Sequence, residues 1–364
     1  MFRTFADMFK NKDIRNRIFF TLAMLFVFRF GSAITVPGVD VTELIKGMQD
    51  SSLFAMINML GGGGLEQLSI FAMGVGPYIT ASIIIQLLSM DVIPALTELA
   101  KGGATGKKQI DRYTRYLAVV LSFFQASTLV YSFSTQYKTL LVNGSGWASI
   151  LYVATLLTAG SMFILWIGDR ISMKGIGNGV SMIIAAGIIS RLPYQFTTAW
   201  QTLVDPSNSS ATFNGILTFG LYIVSYLLII VFVVFMQTAE RKIPIQYTSS
   251  TVTTRKKDMT YLPLKINSAS VIPVIFASAI MVAPLQICKM VWPAASWVKT
   301  LETYMGMQTP VSLVIYVVLI LLFTFFYTKL QVDPEKIAEN LGKSGTYIPG
   351  IRPGTETKEY VNKV

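Results

Sequence analysis

The chain has 364 residues, of which 52% are hydrophobic and only 13% charged, with a formal net charge of +11. Soluble domains carry roughly 25% charged residues, so this chain has too little polar surface to cover a water-soluble body and reads as a multipass membrane protein. Histidine is absent and Cys288 is the single cysteine, which excludes histidine-based catalysis, Cys/His zinc sites and intrachain disulfides.

A basic N-terminal segment with Arg3, Lys10, Lys12, Arg15 and Arg17 leads into a first apolar run near 18–36. The run is long and lacks a small-x-small cleavage site, so it is expected to be retained. Arg29 lies inside it, and snorkelling or pairing with a helix C-terminus is its ordinary reading. The next apolar piece, Leu53 to Leu60, is too short to span and ends in four glycines, Gly61 to Gly64, which read as a hinge. A second run near 71–90 opens on Gly74, Gly76 and Pro77.

Lys101, Lys107, Lys108, Arg112 and Arg115 precede the third run, near 116–137. Among them, Gly102 to Lys108 imitates a P-loop. Lys101 stands at its first glycine, however, and Lys108 where Ser or Thr should hold magnesium. Runs near 147–168 and 179–200 are joined by Arg170, Lys174 and the turn Gly175-Ile-Gly-Asn-Gly179. A membrane helix precedes that turn rather than a strand, so a dinucleotide site is not expected there. A sixth run near 214–238 is followed by Arg241, Lys242, Arg255, Lys256, Lys257 and Lys265. The seventh, near 270–290, carries Pro273 early. The eighth, near 308–328, leads into a basic tail.

Runs of about 20 apolar residues cross a bilayer as helices, because each backbone polar group must be satisfied internally. Continuous rather than alternating hydrophobicity excludes a barrel. With the runs threaded in order, 24 Lys and Arg fall on one side and five on the other. That asymmetry puts both ends of this chain in the cytoplasm, and the net charge becomes mostly a record of topology. The acids Asp91, Asp169, Glu240 and Asp333 sit at span ends, which disfavours ion-coupled transport. No nucleotide site, cofactor or enzymatic activity is expected.

Several longer stretches carry a resemblance. They are Leu68 to Leu88; Thr158 to Arg170 running into Gly175–Gly179; Glu240-Arg-Lys-Ile-Pro244; Leu262 to Asn267 with Val271-Ile-Pro273; and Ile348 to Gly354. Together they resemble the SecY family, the pore subunit of the bacterial protein-translocation channel. The resemblance implies an all-α multipass bundle, here with eight spanning helices and a short re-entrant plug helix. It divides the chain into an N-terminal half, 1–200, and a second half, 201–364. The family pattern continues into a ninth and a tenth helix, which are not expected within a sequence ending at Val364. Ser249 to Thr260 also departs from the family's glycine-containing pattern.

The resemblance further implies a passive conduit for unfolded secretory proteins that also releases membrane segments into lipid of the bacterial inner membrane. Its pore ring would fall on Val75, Ile79, Ile184, Ile188 and Ile275. The plug would include Leu53, Phe54, Ile57, Leu60, Gly61, Gly62, Gly63 and Gly64. A lateral gate would use Pro77, Ser82 and Gln86 against Pro273, Ala279 and Ala283. Docking of the SecA ATPase or the ribosome would use Arg241, Arg255, Lys256, Lys257 and Arg352. SecE and SecG would complete the channel, with YidC and SecDF as further partners and signal sequences and membrane lipids as what it handles. A truncated, non-conducting relative that binds partners remains the alternative at this stage.

Overall fold

A computed structural model describes residues 10–42, 64–65, 67–89, 93–137, 139–142, 144, 146–204, 209–247, 260–292, 295–305, 309–332 and 334–363. The chain forms two compact units, one of residues 1–198 with 279–314, the other of 199–278 with 315–364.

In the first unit, α1 (Lys12–Ser32) is capped by Asn11, whose side chain accepts from the Asp13 N–H at 3.1 Å. Asp13 in its first turn and Arg29 in its last both complement the helix dipole. Then come α2 (Gly76–Leu88), α3 (Pro94–Lys101), α4 (Gly103–Gln136), α5 (Trp147–Lys174) and α6 (Gly179–Leu203). The core at one end of α4 and α5 is built on Leu129, Val130, Phe133, Val153, Ala154 and Leu157. Leu65 and Leu68 insert into it from an irregular stretch before α2. In the loop after α1, the Thr42 hydroxyl and N–H donate to the Asp40 carboxylate at 2.6 and 3.0 Å. They hold its pKa below the usual carboxylate range.

The second unit begins in the last turns of α6 and continues through α7 (Ser209–Thr238). Beyond α7 the polar connection folds as a hairpin, β1 (Glu240–Tyr247) antiparallel to β2 (Thr260–Lys265), with Ile243 opposite Leu262. Next in the chain are α8 (Ile272–Val291), which passes into the first unit at residue 279, α9 (Ser296–Met305) within the first unit, α10 (Pro310–Gln331), which returns to the second unit at residue 315, and α11 (Pro334–Lys343). A two-residue strand, β3 (Thr346–Tyr347), pairs with the other edge of β1, and α12 (Thr355–Lys363) follows. Ile243, Ile245, Leu341 and Ile348 form a small buried core beneath this sheet.

Each of the eight apolar runs contains a helix, but among the described residues four segments are long and apolar enough to cross a membrane: 105–135, 147–174, 212–238 and 310–343. The second run is the clearest departure from expectation. Its helix begins only at Gly76, with Pro77 in the first turn, and has 13 residues. At 1.5 Å per residue that is about 20 Å, short of a hydrocarbon core of about 30 Å. The three-stranded sheet is an addition to the helical bundle that hydropathy did not signal.

Exposed apolar side chains cover α7 on every side, including Leu228, Val231, Phe232 and Phe235. None of its most apolar window is buried within the chain. Water-soluble proteins do not expose apolar patches of that extent, whereas a lipid-facing helix must.

Candidate functional site

The residues before α2 form turns rather than helix, and their backbone is pinned from several directions. The Val36 N–H donates to the Leu68 carbonyl at 3.0 Å, and the Ile70 N–H to the Ile34 carbonyl at 3.0 Å. The Ser69 N–H donates to the Gly64 carbonyl at 2.8 Å. Leu68 adopts φ 40°, an uncommon conformation for a branched side chain, and Gly74 adopts φ 55°. The Ser161 hydroxyl of α5 reaches across to donate to the Gly74 carbonyl at 3.0 Å. A side chain at Gly160 would run into the Ile70 carbonyl oxygen, so only glycine lets α5 approach this closely.

This anchored backbone delivers Val75, the residue before α2, into an apolar cluster with Phe28 of α1, Phe71, and Ile164 and Ile167 of α5. Ile79 of α2 and Ile184 of α6 pack on the same cluster from its partly exposed edge. Three of the five expected ring residues therefore meet in one place. Val75 is only 1% exposed, so its side chain fills the cluster, whereas Ile79 and Ile184 keep an open side. Ile188 lies one turn beyond Ile184 on α6 and is also half-buried. Ile275, half-buried on α8, belongs to the second unit.

The α5–α6 turn holds these helices in register. The Gly179 N–H donates to the Ser172 hydroxyl at 2.8 Å, and the Ile176 N–H donates to the Thr21 hydroxyl of α1 at 3.1 Å. A Cβ at Gly179 would collide with the Gly168 carbonyl oxygen. The glycines that imitate a dinucleotide loop thus serve close helix packing. The look-alike at 102–108 is resolved the same way, since residues from Gly103 onward are already in α4. On the same face, Arg115 of α4 pairs with Asp169 of α5 at 3.1 Å.

Of the expected plug, Gly64 is described and residues 53–63 lie outside the described residues. Gly64 is buried, and a Cβ there would strike the Ser69 hydroxyl and approach the Ala72 backbone to 3.3 Å. Among the gate candidates, Pro77 is buried, and Gln86 donates through Nε2 to the Ser82 hydroxyl at 3.3 Å along α2. Pro273 is buried at the start of α8, with Ala279 half-buried and Ala283 further along that helix. Of the docking residues, Arg241 is exposed on β1 and Arg352 is exposed after β3. The Arg352 N–H donates to the Glu356 carboxylate at 3.2 Å. Arg255, Lys256 and Lys257 lie outside the described residues. Nothing in the residue pattern marks Ser161, Gly160 and Ile70 as fixing the entry to α2. A small Gly-Ser pair inside an apolar run was the only available signal.

The SecY family profile matches residues 69–364. Protein translocase subunit SecY of Staphylococcus carnosus is 43% identical over 365 residues, covering 100% of this chain and 84% of that protein. The chain belongs to the SecY family. The SecY subunit of Staphylococcus epidermidis is 44% identical with the same coverage. Among solved structures, a protein-conducting channel superposes with TM-score 0.64 at 17% identity, covering 95% of this chain and 80% of that one. Sec61 in a canine ribosome-channel complex gives TM-score 0.59 at 17% identity, over 92% and 79% of the two chains. These distant structures establish the shared fold. As a SecY-family member, the chain is a membrane-embedded channel subunit of the protein translocon.

Proposed function

We propose that this subunit conducts unfolded polypeptide past a constriction formed by Ile79, Ile184 and Ile188 with Ile275, in the inner membrane of a bacterium and with both ends of this chain cytoplasmic. The observation that supports it is the meeting of α2 and α6 at an apolar cluster, where Ile79 and Ile184 are only partly buried. Branched apolar side chains resist ions by dewetting, yet give way sideways to a passing chain. Val75 belongs to the same proposed ring, although its burial at 1% exposure makes packing its main contribution.

Residues 53–64 act as the plug, with Gly64 as its fixed end. The gate runs between α2, with Pro77, Ser82 and Gln86, and α8, with Pro273, Ala279 and Ala283. The chain acts without enzymatic activity of its own. Driving force comes from SecA or a translating ribosome docked through Arg241, Arg352 and residues 255–257, while SecE and SecG brace the bundle. YidC and SecDF assist insertion and release.

Planar-bilayer conductance of the purified complex tests the ring. Replacing Ile79, Ile184 and Ile188 together by Gly should raise resting ion leak severalfold, because the dewetted apolar constriction is opened. Unchanged conductance would remove these residues from the ring.

A further inference from the structure

The joint between α7, the β1–β2 hairpin and α8 is closed by three polar side chains. Asn267 donates through Nδ2 to Gln237 Oε1 at 3.2 Å, and Gln237 donates through Nε2 to the Ser270 hydroxyl at 3.4 Å. The Ser270 N–H donates to Asn267 Oδ1 at 3.0 Å. That last bond fixes the other two. A backbone N–H can only donate, so Asn267 must turn its oxygen to Ser270 and its nitrogen to Gln237. Gln237 then offers its oxygen to Asn267 and its nitrogen to the Ser270 hydroxyl, which closes the triad. All three residues lie within the second compact unit.

Gln237 sits in the last turn of α7. Strand pairing runs up to it from the hairpin, since Glu240 opposes Lys265 and the Ile266 N–H donates to the Ala239 carbonyl at 3.1 Å. On the other side of the joint, Ser270 adopts φ 55°, an uncommon conformation for a residue with a side chain. Such a conformation persists only where its surroundings hold it, and here Asn267 and Gln237 grip its N–H and its hydroxyl. The next carbonyl, of Val271, accepts the first bonds of α8, from the Val274 and Ile275 N–H groups at 3.2 and 3.4 Å. The direction in which α8 leaves the joint is therefore set one residue after the gripped one. Pro273 and Ile275 lie in that first turn.

We propose that Gln237, Asn267 and Ser270 are positioning residues that hold the start of α8 at its resting angle to α7 and the hairpin, and so set how strictly the channel discriminates between signal sequences. This rests on the reading of α8 as one wall of the gate and as the source of Ile275. Breaking the triad releases Ser270 toward ordinary backbone conformations, and α8 leaves its resting angle more readily. A signal sequence that favours the open arrangement only weakly then suffices to part the gate.

Two readouts on the assembled complex test this. One is hydrogen exchange of the amides of residues 268–276. The other is motor-driven translocation into vesicles of a secretory protein carrying either its intact signal or one shortened in its apolar stretch. Asn267→Leu removes the triad at similar size. It should speed exchange at the joint and raise the shortened-to-intact translocation ratio about fivefold, the worth of one net hydrogen bond. A merely destabilised channel would lower both substrates together and leave the ratio alone. Asn267→Asp is the chemical rescue. Its carboxylate still accepts the Ser270 N–H, Gln237 turns to donate Nε2 to it, and the Ser270 hydroxyl donates to Gln237 Oε1. Exchange and ratio should then stay near wild type. Ser268→Ala, in the same loop but outside the triad, removes a bond to the Lys265 carbonyl and should change neither readout. Unchanged exchange in Asn267→Leu would overturn the positioning role. Faster exchange with an unchanged ratio would place the failure in the reading of α8 as a gate wall, and the role in discrimination would fall with it. Should Asn267→Leu fail to assemble, Gln237→Leu gives the same comparison, with the same results expected and the same results contradicting them.

Discussion

Three glycines show how little space the bundle leaves between its segments. Side chains at Gly160 and Gly179 would meet backbone oxygens of Ile70 and Gly168, and one at Gly31 would meet the Phe71 ring. Gly160→Val should therefore cost about 1–3 kcal/mol through forced displacement of the chain before α2. Thermal unfolding in detergent measures this, with Gly220→Ala as its control. Gly220 in α7 has open space around it, so that substitution should be neutral or slightly stabilising. Equal destabilisation by both would contradict the packing role. None of this was legible in the sequence, because a glycine in an apolar run looks alike whether it faces lipid or a neighbouring backbone. What could be read was the family pattern around Val75, Ile79 and Ile184, and those three side chains do share one cluster.

Elements dominated by burial in lipid were easily read, since about 20 apolar residues admit only one backbone solution. Elements set by local backbone geometry were not. The apolar run at 71–90 conceals five residues of turn, because Leu68 and Gly74 at positive φ and Pro77 in the first turn delay α2 to Gly76. The β1–β2 hairpin was hidden by its charges and by Pro244 and Pro263, although Ile243/Ile245 and Leu262/Leu264 alternate as strands do. Ile243 is 2% exposed in the core beneath that sheet. Ile243→Ala should weaken the hairpin by about 2–5 kcal/mol, and limited proteolysis should then cut within 240–265 faster than in the wild type. An unchanged cleavage rate would mean that this sheet is held by something other than its apolar face. Arg115 and Asp169, by contrast, are half-exposed, and breaking their pair by Asp169→Asn should cost no more than about 1 kcal/mol.

At the scale of the whole molecule, apolar surface serves two different ends. Around α7 it is continuous and outward, with Phe232 65% exposed, as lipid requires. Around Val75 it is gathered inward with Ile79 and Ile184 at its edge, as the proposed constriction requires. The central claim is that the moving chain touches that edge and not the outer apolar face. Disulfide cross-linking to a stalled secretory chain bearing one cysteine tests it most directly, in a Cys288→Ser background that removes the single cysteine of these 364 residues. Single substitutions Ile79→Cys, Ile184→Cys, Ile188→Cys and Ile275→Cys should each cross-link to the stalled chain, and Phe232→Cys on α7 should not. Cross-links no more frequent at the four isoleucine positions than at position 232 would contradict the account.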